Sequence, residues 1–331
     1  MIQLNDLCVG YRTKRGPKVV AEGINACIES GELTCLLGAN GVGKSTLLRT
    51  LSGFQPQLGG SIWVEGKELA AYTDKELARV VGVVLTERPD VHNLSVEDLI
   101  GLGRSPYTGF WGGLRQMDKE AVAQAAGWVG AGDLLGRMVD TLSDGERQKV
   151  MIAKALAQET PVILLDEPTA FLDFPSKVEI MQLLHRISRQ MRKTVFLSTH
   201  DLDLALQLAD KVWLMGQGGR LSVGTPEDLT LDGTMARFIV RKGVAFDEQE
   251  GLFRVEHECV HLIRLLGEGL RAEMIKKALR RNGIEAGSEV RSDVCVEVRE
   301  GEYVLTCPGR SPQAATSVEG LLRLLMSISF S

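Results

Sequence analysis

No stretch of the chain approaches the ~18 consecutive apolar residues that a membrane-spanning helix needs. The six cysteines, at positions 8, 27, 35, 259, 295 and 307, form no CxxC pair and no Cys/His spacing suited to zinc. They read as small buried hydrophobes of a reducing compartment. An excess of basic residues is also missing: 38 Lys and Arg stand against 43 Asp and Glu, a formal charge of −5, so the overall footprint of a nucleic-acid binder is absent. There is no internal repeat and no low-complexity tract. With 44% apolar and 24% charged residues, disorder, collagen and a repeat solenoid are excluded. The opening residues MIQLNDLCVGY alternate as a strand does and lack the basic-then-apolar order of a secretory leader.

What is present is a chain of 331 residues, enough for about two domains. ELTCLLG reads as a short buried strand that stops at Gly38, passes through a glycine-rich loop and enters the amphipathic run KSTLLRTLSGF. Residues 95–160 lose β character, and SVEDLIGLG, MDKEAVAQAAGWVG and DGERQKVMIAKALAQ read as helices. The alternation then returns with PVILLDE, a helix from about Ser176 to Arg192, KTVFLSTH, a helix through Asp210, and KVWLMG. Short apolar strands between amphipathic helices imply a largely parallel, covered sheet. Beyond about residue 240, VHLIRLLGEG, AEMIKKALRRNG, VCVEVREG, YVLTCPG and SVEGLLRLLMSI suggest a separate β-α-β-β-α unit of ferredoxin-like type.

The segment Gly38-Ala-Asn40-Gly41-Val-Gly43-Lys44-Ser45-Thr46 matches GxxxxGK[ST] between a strand and a helix, the setting that motif needs. Its glycines let backbone N–H groups turn inward around a phosphate, and the helix N-terminus adds positive potential. Lys44 can neutralise β/γ oxygens and Ser45 can ligate Mg²⁺. VILLDE ends a buried strand in two carboxylates, wasteful unless they meet something polar or cationic at the strand's end. Asp166 suits holding Mg²⁺, and Glu167 suits accepting a proton from an attacking water.

Phosphate loop, LSDGERQ, carboxylate strand and the strand-terminal His200 together resemble, in that order, the ATP-binding cassette (ABC) ATPases over about residues 1–240. The resemblance implies an α/β fold of P-loop NTPase type: a parallel-sheet core, an antiparallel β subdomain, and a helical subdomain over about 88–158. Residues 241–331 are expected to form a small α+β domain with a regulatory or dimerising role. The resemblance further implies ATP hydrolysis to ADP and phosphate, with ATP and Mg²⁺ bound. His200 would contact the γ-phosphate, Tyr11 would stack on adenine, and Ser143 and Gly145 would reach the γ-phosphate held by a second copy in an ATP-sandwich dimer. Asp173 would lie in the loop crossing that dimer interface.

Two positions depart from the family pattern. Asp144 stands where the signature has glycine, and its carboxylate is unfavourable near a triphosphate unless it points away or pairs, for example with Arg147 or Lys149. Thr86 stands where a glutamine normally reaches Mg²⁺ and the water, with Glu87 as substitute if the register slips by one. The segment GRSPYTGFWG resembles the ATPases of importers for ferric siderophores, haem and vitamin B12. That implies docking of two membrane-spanning permease subunits near 86–112, with Tyr107, Phe110 and Trp111 either exposed to a partner or packed on the helical insert. A periplasmic or lipoprotein binding protein would act through the permease, and the chain would sit peripherally on the cytoplasmic face of the inner membrane, with no nucleic-acid partner. Other ABC transporter classes, a soluble ABC protein and a non-cycling cassette stay open as alternatives.

Overall fold

In a computed structural model, residues 1–14, 16–86, 93–109, 113–238, 243–247 and 251–328 are described. The chain opens with β1 (Ile2–Thr13) and β2 (Gly16–Ile28), then β3 (Leu33–Gly38) and α1 (Lys44–Leu51) around the glycine loop. β4 (Gly59–Val64), β5 (Lys67–Glu68), α2 (Asp74–Leu77) and β6 (Val81–Val84) follow. The helical stretch contributes α3 (Val96–Gly101), α4 (Gln116–Trp128) and α5 (Asp144–Ala157). β/α alternation resumes with β7 (Val162–Asp166), α6 (Phe174–Met191), β8 (Thr194–Thr199), α7 (Leu202–Leu208), β9 (Lys211–Met215) and β10 (Leu221–Gly224), and α8 (Pro226–Leu231) and α9 (Thr234–Phe238) close it. Among the described residues, no helix is long and apolar enough to cross a membrane.

The central sheet has the order β10-β9-β3-β8-β7-β6, with only β10 antiparallel to its neighbour. Both of its faces are covered, so its strands read as continuous apolar runs, and side chains alternate between two cores. Cys35, Leu37, Ile163, Leu165, Val195 and Leu197 face a core shared with α3–α6. Leu36, Val162, Leu164, Phe196 and Trp213 face the antiparallel sheet β2-β1-β4-β5 and α1. Phe196 and Trp213 meet edge to face, centroids 5.0 Å apart, at the centre of that second core.

The chain divides into two compact units, Met1–Ile239 with Phe246–Phe253, and Val240–Ala245 with Arg254–Ser331. Phe246 packs against the first unit's core and meets Phe253 at a tilt of 56°, centroids 4.9 Å apart, within β11 (Val244–Asp247) and β12 (Leu252–Val255).

The second unit contains β13 (His261–Leu266), α10 (Leu270–Arg280), β14 (Ile284–Gly287), β15 (Cys295–Val298), β16 (Tyr303–Thr306), β17 (Gln313–Ala315) and α11 (Val318–Met326). Its sheet order is β14-β13-β15-β16-β17, with β13 parallel to both β14 and β15. This corrects the ferredoxin-like expectation. β14 and β17, IEAG and QAA, are too short and too poor in β-branched residues to signal strands, yet each completes a ladder begun by a stronger neighbour. The basic face of α10 is solvated and paired locally, with Lys276 on Glu273 and Arg280 on Glu285, both at 2.8 Å.

Candidate active site

β3 is fully buried from Leu33 to Leu37 and emerges at Gly38, where the chain turns through the exposed Asn40 and Gly41 into α1. Gly41 has φ +78° and Gly43 φ +118°, and a Cβ on Gly43 would fall 2.1 Å from Val20 Cγ1. Only glycine fits there. α1 begins at once with Lys44, so its first N–H groups, which lack partners within the helix, point out of its N-terminus. Thr46 lies half-buried in that first turn, its carbonyl accepting from Thr50 Oγ1 at 2.8 Å.

The Lys44 side chain is only 6% exposed; its Nζ donates to the Gly38 carbonyl at 2.8 Å and stands 3.7 Å from Glu167 Oε1. Beside β3, separated by β8, strand β7 is buried from Val162 to Leu165 and releases Asp166 and Glu167 at its end. Ser45 Oγ lies 3.3 Å from Asp166 Oδ1, and Ser198 Oγ donates to the same oxygen at 2.6 Å. β8 ends one residue before His200, whose Nδ1 stands 3.2 Å from Glu167 Oε2. The turn that presents His200 is fixed by Asp201, which donates its N–H to Thr199 Oγ1 at 3.0 Å and pairs with Lys177 at 2.9 Å.

Three neighbouring strand ends thus gather Lys44, Ser45, Asp166, Glu167 and His200. Glu167 has φ +47°, a left-handed conformation that costs a non-glycine residue on the order of 1–3 kcal/mol and is tolerated where surrounding contacts enforce it. A carboxylate held between an ammonium and an imidazole, beside an anion-binding loop, suits proton transfer at a phosphoryl group. Ser45 and Asp166 supply adjacent hard oxygen donors. Among the described residues no group of three or more His, Cys, Asp or Glu could hold a metal by itself. That donor set fits Mg²⁺, which binds through one or two protein oxygens completed by substrate phosphates.

Comparison with known proteins places this geometry. The ABC transporter family model matches residues 21–170, and the iron ABC transporter C-terminal domain matches residues 260–326. An uncharacterised ABC transporter ATP-binding protein of Methanocaldococcus jannaschii is 38% identical over 78% of this chain and 87% of its own length. The ferric enterobactin transport ATP-binding protein of Escherichia coli is 36% identical over 67% of this chain and 81% of its own. The chain belongs to the ABC transporter ATP-binding proteins. Two solved structures are similar. One is a metal-chelate type ABC transporter in an inward-facing conformation (27% identity, TM-score 0.60, 69% of this chain and 84% of that one). The other is a dimeric cassette in a post-hydrolysis state with ADP and phosphate (25% identity, TM-score 0.56, 64% and 93%). The chain is accordingly an ATPase of the ABC type.

The signature residues open α5. Ser143 is the N-cap of α5, where its hydroxyl accepts from the Glu146 N–H at 3.3 Å while Glu146 Oε2 accepts from the Ser143 N–H at 2.8 Å. The Ser143 N–H, its hydroxyl and Arg137 hold the Glu146 carboxyl below the usual carboxylate range. Glu146, in the place of the family's glutamine, is thus a capping residue. A Cβ on Gly145 would come 3.3 Å from Ser176 Oγ, so this helix start packs on α6. There Asp173 caps α6, accepting from the Ser176 N–H at 3.1 Å. Nearby, Lys149 pairs with Glu179 at 2.6 Å, and Arg147 donates to the Val139 carbonyl at 3.2 Å.

Tyr11 lies on β1, 41% exposed, with Lys18 Nζ 5.5 Å from its ring centroid. Thr86 is half-buried, and its hydroxyl donates to the Asp166 carbonyl at 2.7 Å. Glu87, Phe110 and Trp111 lie outside the described residues. Tyr107 is half-buried, its ring centroid 4.2 Å from the Arg104 guanidinium and its hydroxyl donating to the Gln158 carbonyl at 3.1 Å. A residue overlooked in the sequence is Ser198. Its signal is a hydroxyl that follows the apolar run Val195-Phe196-Leu197, two residues before His200.

Proposed function

We propose that the chain powers uptake of a ferric siderophore as one half of an ATP-sandwich dimer on the cytoplasmic face of the inner membrane. The observation that carries the reading is the convergence on Glu167 of Lys44 at 3.7 Å and His200 at 3.2 Å, beside the Ser45–Asp166 pair. Gly38 to Thr46 would cradle the phosphates, with Lys44 on the β/γ oxygens. Ser45 and Asp166 would hold Mg²⁺, which neutralises charge developing on the phosphates when bound. Glu167 accepts a proton from water as the water oxygen bonds to the γ-phosphorus and the bond to the β-phosphate oxygen breaks, leaving ADP and phosphate. His200 orients Glu167 and the γ-phosphate.

Ser143 and Gly145 of a second copy would complete each site, with Asp173 at the interface and Tyr11 against adenine. Support for the sandwich is the dimeric form of a similar cassette. Support for iron over haem or cobalamin is the iron-type C-terminal match at 260–326 and relatives named for enterobactin and iron(3+)-hydroxamate import. The permease subunits would dock near 86–112 and take their substrate from an external binding protein.

Glu167→Gln tests the mechanism: turnover is expected to fall by about 10²–10⁴-fold while Mg·ATP drives the variant into a dimer measurable by light scattering. Undiminished turnover overturns the assignment. For the substrate, cells lacking the chain and complemented with it should regain uptake of radiolabelled ferric siderophore. Restored uptake of cobalamin alone would overturn the iron reading.

A further inference from the structure

The backbone ladder beside β7 runs out where the catalytic carboxylates begin. On the β6 side the last register pair is Val84 with Leu165, and on the β8 side it is Asp166 with Ser198. The next peptide unit, joining Asp166 to Glu167, is held by side-chain hydroxyls from both flanks. Thr86 Oγ1 donates to its carbonyl at 2.7 Å, and Ser198 Oγ accepts from its N–H at 3.0 Å, a hydrogen bond shared with the Ser198 carbonyl at 3.1 Å. Ser198 Oγ also donates to Asp166 Oδ1 at 2.6 Å, so one hydroxyl fixes the Asp166 carboxylate and the Glu167 backbone together. Ser198 is fully buried and Thr86 half-buried. The clamped peptide leads directly into the left-handed Glu167, at φ +47°.

We infer that Thr86 and Ser198 form a two-sided hydroxyl clamp that aims Glu167, and that they are positioning residues for hydrolysis. A trans peptide points its C=O and N–H in opposite directions, so holding both ends fixes the plane of the unit and the direction in which Glu167 leaves it. Thr86 or its neighbour Glu87 stands where the family pattern has glutamine, and it is the Thr86 hydroxyl that meets β7. It grips the carboxylate strand, linking the end of β6 to the base. The clamp rests on Glu167 being the proton acceptor, as proposed above.

The test uses steady-state and single-turnover kinetics on Thr86→Val, Thr86→Ser and Ser198→Ala, each alone and in the Glu167→Gln background. Valine keeps the shape of Thr86, and serine keeps its hydroxyl. Thr86→Val and Ser198→Ala are expected to lower kcat about 10- to 100-fold, the effect of a small misplacement of a reacting group, with KM for ATP held within about twofold. Thr86→Ser should restore most of kcat, and neither clamp substitution should slow the Glu167→Gln protein further. An unchanged kcat in both variants overturns the clamp. So does a fall that is matched by weaker ATP binding or repeated undiminished without Glu167, since either marks a general structural role. Should Ser198→Ala not fold, Thr86→Val decides alone. If Glu167→Gln itself leaves turnover intact, the parent assignment fails rather than the clamp.

Discussion

Arg104 Nε stands 2.9 Å from Asp118 Oδ1, each residue only 5% exposed, and the same guanidinium donates to the Ala157 carbonyl at 2.7 Å and pairs with Glu159 at 2.6 Å. One side chain therefore ties α4 to the end of α5, beneath the stacked Tyr107.

Removing Arg104 strands a buried acceptor and a carbonyl together. Arg104→Ala is expected to destabilise the cassette by about 3 kcal/mol, in the range for breaking a buried, hydrogen-bonded charge. Arg323→Ala, at a pair whose side chains are 78% and 75% exposed, should change stability by no more than about 0.5 kcal/mol. Urea denaturation of the two variants checks the contrast, and equal losses would refute it.

Gly43→Ala meets two obstacles at once, a φ of +118° and a contact of 2.1 Å with Val20 Cγ1. The loop must shift, and nucleotide binding should be lost. Gly136→Ala, where a Cβ meets nothing within 4 Å, should bind normally. Isothermal titration with Mg·ATP reads both.

Acid should loosen the start of α5. Hydrogen bonds from the Ser143 N–H, and then its hydroxyl, hold the Glu146 carboxyl below its ordinary value. A carboxylate whose folded pKa is depressed contributes stability that is complete above its unfolded pKa, about 4.3, and is lost as pH falls through the lower folded value. Glu146→Gln should therefore lower the neutral-pH midpoint and flatten the decline of thermal stability below about pH 4.3, because the contribution that acid removes is already gone. An unaltered acid decline would show that Glu146 contributes nothing to it.

The thiols follow the sequence reading only in part: Cys35 and Cys307 are buried, while Cys8, Cys27, Cys259 and Cys295 are half-buried. All six are free, and desolvation raises each thiol pKa, that of Cys27 to about 11, so none is poised for nucleophilic chemistry.

Local sequence determined the phosphate loop, the apolar strands and the caps, because these depend on residues within a few positions of one another. Gly43 before Lys44, Ser143 three residues before Glu146, and VILLDE are legible without a fold. The second unit's topology was not: IEAG and QAA carry no strand signal, and only neighbours already in place make them strands. Nor could sequence show that Ser198 lies beside Asp166, 32 positions away, or that Thr86 grips its carbonyl from 80 positions away. Hydroxyls are short and indifferent to sequence pattern. Whether one caps a helix, faces water or clamps a catalytic peptide is decided by which strand the sheet sets beside it.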